Sequence, residues 1–159
     1  MGGVQSMLAL CGLALLSLTS LRFNSSVMER TTSEVENKVY LTAFSLADDM
    51  IEEIKTKAFD EVTLKFPTTN ANNLTASLGP ESGETYTTFD DVDDFQGYTR
   101  SVNAPHAENY SISTTVQYVD GNNPDQPAGA PTFYKKVTVT VSSPYLRYPV
   151  NLSFIFTLK

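Results

Sequence analysis

The sequence predicts an α+β chain in which one long N-terminal α-helix, with a projecting apolar half, packs on a C-terminal antiparallel β-sheet. Three observations predict it. Residues 1–21 hold no charged side chain. Residues 39–58 place apolar side chains at steps of three and four, the period of a helix face. Residues 109–159 alternate apolar and polar side chains in three runs, the period of half-buried strands.

The first element is "MGGVQSMLALCGLALLSLTSLR", in which Arg22 is the first charged residue. Val4 to Leu21 is an uncharged run of 18 residues, near the lower edge of the roughly 17–25 that a membrane-crossing helix needs. A secretory signal carries Lys or Arg ahead of its apolar run and ends in a small-residue cleavage site. Nothing before Leu21 is basic, and "LTSLRF" is a poor site of that kind. "LALC" puts Leu10 before Cys11, where lipoprotein processing needs a small residue. The segment therefore reads as one that stays on the protein, held in a bilayer or in a bundle of like helices. Gly2, Gly3, Ala9, Gly12 and Ala14 would let such helices approach closely.

The second element is "VYLTAFSLADDMIEEIKTKAFDE". Val39, Ala43, Leu46, Met50, Ile54 and Ala58 form one apolar row, and Tyr40, Phe44, Ala47 and Ile51 a neighbouring one. Asp48, Asp49, Glu52 and Glu53 fall on the opposite side. No Pro occurs before Pro67 and no Gly between Gly12 and Gly79, so a single helix is expected from the N-terminus to about Phe59. At 1.5 Å per residue that is about 90 Å, too long to pack entirely on a domain of this size. Its second half should cover a core and its first half project. The expected organisation is an apolar N-terminal helix over 1–29, in a membrane or filament core, and a globular domain over 30–159. Within the domain we expect an amphipathic helix at 30–60, a loop region at 63–108 and the sheet at 109–159.

The loop region is polar and rich in Asn, Thr, Gly and Pro. Its aromatic phrase "TYTTFDDVDDFQGYTRS" should fold back on the sheet with a short strand or turn of helix. In the sheet, Tyr110, Ile112, Thr114, Val116 and Tyr118 alternate with polar residues. Phe133, Val137, Val139 and Val141 share a face from which Lys135 is the exception. Val150, Leu152, Phe154, Phe156 and Leu158 make the third run. Turn formers in "DGNNPDQPAGAP" and "SPYLRYP" join them into an antiparallel meander, wet on one face.

Composition argues against several functions. With 18 acidic and 11 basic residues the net charge is −7, so nucleic acid is not expected as the main ligand. One His, one Cys and no P-loop, G-x-G-x-x-G or G-x-S-x-G leave no nucleophile, base and orienter set, so no enzyme and no cofactor is expected. His106, beside Pro105, reads as a loop residue. Asp90, Asp91, Asp93 and Asp94 are hard oxygen donors of the kind calcium takes, with Asp91 and Asp93 as the candidates. Their spacing is not that of an EF-hand, and a solvated acidic turn between two Phe anchors is the preferred reading, with no metal expected. Asn24, Asn73, Asn109 and Asn151 each open an Asn-x-Ser/Thr sequon and are possible glycosylation sites.

An apolar helix fused to an amphipathic one, a variable loop region and an antiparallel sheet resembles a type IV pilin or a pseudopilin of a type II secretion system. "SLADDMIEEIKTKAFDEV" resembles the helix end of PilV-like minor pilins, and "TFDDVDDFQGYTRS", "YKKVTVTVSSP" and the closing strand resemble that group too. The resemblance implies that Met1 is the processed, methylated terminus, its short basic leader having been removed by a prepilin peptidase. It implies a structural subunit of an extracellular pilus-like filament: a helical homopolymer of self, held in the inner membrane before assembly and built by pilus assembly machinery. Leu8, Leu13, Leu15, Leu16 and Leu18 would form the filament core. The family's glutamate at the fifth mature position is Gln5 here, which accepts a hydrogen bond but cannot neutralise a neighbour's amine. The alternatives are a minor pilin or pseudopilin that primes assembly or secretion, and a membrane-anchored surface-binding domain that never polymerises.

Overall fold

The computed structural model describes residues 2–104 and 107–158. Helix α1 runs over Gly2–Lys55, ending four residues short of the Phe59 expected. The chain forms two compact units, Met1–Lys38 and Val39–Lys159. In the first, every described residue is helical and exposed.

The second unit is built on a five-stranded antiparallel sheet: β1 (Thr99–Ala104), β2 (Ala107–Asp120), β3 (Asn123–Pro127), β4 (Tyr134–Ser142) and β5 (Val150–Thr157). The order is β1-β2-β4-β5, with β3 a short ribbon on the far end of β2. The three runs read from alternation are β2, β4 and β5, and they lie side by side as a meander. Val116 sits opposite Val137, Thr114 opposite Val139 and Ile112 opposite Val141. Across the next ladder Val137 faces Phe154 and Val139 faces Leu152. Because successive strand residues point to opposite faces, this register puts Tyr110, Ile112, Val116, Val137, Val139 and Val141 on one buried face.

From α1 that face receives Val39, Ala43, Ala47, Met50, Ile51 and Ile54. The expected stripe was wider. Leu46 is only half-buried, and Tyr40 and Phe44 are exposed. A helix on one sheet buries a single arc, and these two aromatics lie beyond it.

The segment between helix and sheet is ordered by local structure. A short helix, α2 (Glu61–Lys65), is capped by Asp60, which accepts from the Val62 N–H at 3.1 Å. A 3-10 turn at Asp93–Phe95 leads to Gly97, whose φ of +74° suits glycine, before β1 begins. The aromatic phrase does fold back: Tyr86 stacks on Tyr98 at 4.9 Å, and Phe89 and Phe95 meet edge to face at 5.1 Å.

Candidate assembly helix

The apolar half of α1 is a continuous helix with no charge before Arg22. Taking about 100° per residue, Leu8, Leu15 and Leu18 share an arc of about 80°, while Leu13 and Leu16 fall outside it. Val4, Met7, Leu10 and Leu21 complete an all-round apolar surface, and all nine are more than half exposed within the chain. A helix apolar on every side is stable against other apolar matter, either lipid or further helices. This one is long and apolar enough to cross a membrane by length and composition.

Its polar atoms suit such surroundings. The Ser6 hydroxyl donates to the Gly2 and Gly3 carbonyls at 3.0 Å, that of Ser17 to Leu13 at 2.9 Å, and that of Thr19 to Leu15 and Leu16 at 3.0 and 2.9 Å. These donors thus need no water, as an apolar environment requires. Gln5 and Cys11 are exposed on the same segment. Among the described residues a Cβ built at Gly2, Gly3 or Gly12 meets nothing within 4 Å.

The acidic run is not a solvated turn. Only Asp90 is exposed; Asp91 and Asp93 have no exposed surface and Asp94 has 1 %. The Phe anchors pull the run inward, and it closes on itself. Asp91 Oδ1 accepts from the Asp93 N–H at 2.6 Å, and Asp94 Oδ2 from the Asp90 and Asp91 N–H groups at 2.9 and 3.2 Å. Asp93 is ion-paired with Lys135, the exception on the apolar face of β4, which is itself wholly buried. Lys135 Nζ also donates to Asp60 Oδ2 at 2.9 Å and to the Phe59 carbonyl at 2.6 Å, and lies 4.5 Å from the Phe59 ring centre and 5.1 Å from that of Tyr118. The two sequence candidates therefore do different things: Asp93 pairs with a cation, and Asp91 only with backbone.

The electrostatics follow from one ammonium among several buried carboxylates. Burial pushes Asp91 up to about 8, helped by the charges of Asp93 and Asp94. Burial also raises Asp93, to about 7, with Lys135 pulling the other way. At Asp60 burial is outweighed by the hydrogen bond and charge of Lys135, with the Val62 N–H and Tyr118 hydroxyl assisting, and the carboxyl is held below its usual range. Sequence reasoning missed Asp60 and Lys135 as partners. The available signal was Lys135 itself, because a lysine on a buried strand face requires an acid to meet it.

Asn24, Asn73, Asn109 and Asn151 are all exposed. Asn109 has a φ of +60°, and Asn151 Oδ1 accepts from the Thr140 hydroxyl at 2.7 Å. Met1 and His106 lie outside the described residues. Comparisons with protein-family models, with curated proteins and with solved structures return no match.

Proposed function

We propose that this chain is a structural subunit of an extracellular, type IV pilus-like filament. It would be held in a membrane by the apolar half of α1 and polymerise when those halves pack together. The observation that carries this reading is an all-round apolar helix that runs, without a break, into one whose buried stripe covers an antiparallel sheet. A bilayer and a bundle of apolar helices are similar solvents, so one segment serves before and after assembly. Gly12 adds support. Glycine in a helix interior costs about 1 kcal/mol relative to alanine, nothing among the described residues crowds it, and a neighbouring helix at close range would give it a purpose.

A second reading, a minor subunit that primes assembly or secretion, is favoured by Gln5. A side chain that cannot neutralise a neighbour's amine fits best at a position used once, where no such amine needs burying.

Intact mass and N-terminal sequencing of the protein from cells test the proposal. A chain beginning at Met1 with one methyl group on its amine supports it. A start beyond Leu21, or a formylated Met1, would leave only an anchor or a cleaved signal.

A further inference from the structure

We propose that Glu81, Glu84 and Asp94 form a binding site for one hard divalent cation, calcium by its ligand chemistry. Each residue offers a carboxylate oxygen, and the three oxygens lie within 4.8 Å of one another. Asp94 is 1 % exposed. Its Oδ2 is committed to the Asp90 and Asp91 N–H groups, while its Oδ1 is buried without any hydrogen-bond partner. Glu81 Oε2 is likewise buried and unpartnered. Among the described residues none of the three is ion-paired with a Lys or Arg.

The backbone fixes this convergence. The Glu84 N–H donates to the Glu81 carbonyl at 3.1 Å, and the Glu81 N–H to Glu84 Oε2 at 3.1 Å, closing one turn. Asp94 is set by the 3-10 turn at Asp93–Phe95. Two of these oxygens, Asp94 Oδ1 and Glu81 Oε2, are buried without a donor, which is unfavourable for a carboxylate. Among the described residues Lys135 is the only fully buried Lys, and it is occupied by Asp60 and Asp93; Lys65, paired with Glu61, acts on Glu81 only through its field. A cation between the three oxygens would give both unpartnered oxygens a ligand to bind.

The donor set selects the ion. Residues 63–104 contain no His or Cys, which disfavours zinc and copper, and carboxylates suit calcium and magnesium. Magnesium demands a near-ideal octahedron at about 2.0–2.1 Å, whereas calcium accepts six to eight oxygens in irregular sets at about 2.3–2.6 Å. Three carboxylates from two separate turns, completed by water, fit the second description. With so few protein ligands the affinity should fall near the weak range of extracellular modules, about 10⁻⁴–10⁻³ M. Bound calcium would tie the Glu81–Glu84 turn to the segment that enters β1. This inference does not depend on the filament reading, and its failure would leave that reading intact.

The test is calorimetric titration of calcium chloride into the chelator-stripped full chain in detergent micelles, with thermal melting alongside. We expect one saturable site and a melting midpoint that climbs with calcium concentration, as linkage requires. Glu84→Gln should weaken binding at least tenfold, and Asp48→Asn, on the exposed side of α1, should leave it unchanged. Melting without calcium shows that the variant is folded; Glu81→Gln serves if Glu84→Gln is not. No saturable heat and no midpoint change up to about 10 mM calcium, ten times the weak limit, would overturn the site. So would full affinity in Glu84→Gln, and tighter binding of magnesium than calcium would overturn the choice of ion.

Discussion

Lys135 Nζ donates to Asp60 Oδ2 at 2.9 Å, and both side chains are fully buried. One ammonium on β4 thus holds the cap of α2, and through Asp93 it holds the 3-10 turn before β1 as well. Removing one partner of a buried pair leaves an uncompensated charge, which typically costs about 3–5 kcal/mol. Lys135→Met should therefore destabilise the fold by that amount in denaturant unfolding. A loss below about 1 kcal/mol, the range of surface pairs, would show that the pair does not hold these segments.

Stability should depend on pH in two opposite ways. Asp91 is pushed up to about 8, so between an unfolded value of about 3.9 and 8 the folded chain binds more protons than the unfolded one. Stability from this group is full at acid pH and is lost as pH rises through about 8. Asp60 is held low, so its contribution is full above the unfolded value and is lost as pH falls through the folded one. Denaturation midpoints taken in chelator should be highest in mildly acid solution and decline toward pH 8. Asp91→Asn should flatten that decline; an unchanged slope would assign it elsewhere.

The helix stripe makes a packing prediction. Ile54 is wholly buried against the sheet, and Ile54→Ala should cost about 2–5 kcal/mol. Tyr40→Ala, at an exposed position on the same helix, should shift stability by no more than about 0.5 kcal/mol. Equal losses at the two sites would contradict the single buried arc.

Much of this fold was legible because it rests on period. The absence of Pro and Gly over a long span gave α1, and strict alternation gave β2, β4 and β5 with nearly the observed bounds. β3 was hidden because "NPDQP" reads as a turn. It pairs only at Val119–Pro127 and Asp120–Asn123, at an edge where proline is tolerated. Tyr40 and Phe44 were placed inside because spacing reports a face and not how much of it a sheet covers. The buried aspartates were missed for a different reason. Charge density suggests solvent; the tertiary meeting of Lys135 with Asp60 and Asp93, distant in sequence, gives Asp93 its partner, while Asp91 and Asp94 are met by backbone N–H groups of their own turn.

On the proposed filament reading, Gln5 separates two mechanisms of assembly. If the missing carboxylate limits assembly, Gln5→Glu should increase the yield of filaments without moving the melting midpoint of the folded unit. Filament counts per cell by electron microscopy check this, and a lower yield would show that a neutral side chain is required there.

We propose above that the apolar half of α1 is a polymerisation surface. Negative-stain electron microscopy of cells and shear fractions carrying the wild-type chain or Leu13→Glu, with antibody to residues 39–159, decides it. We expect labelled filaments with the wild type and none with Leu13→Glu, while the unit over Val39–Lys159 melts as before in both. Label confined to the membrane, and full function retained when an unrelated apolar helix replaces residues 2–21, would contradict it.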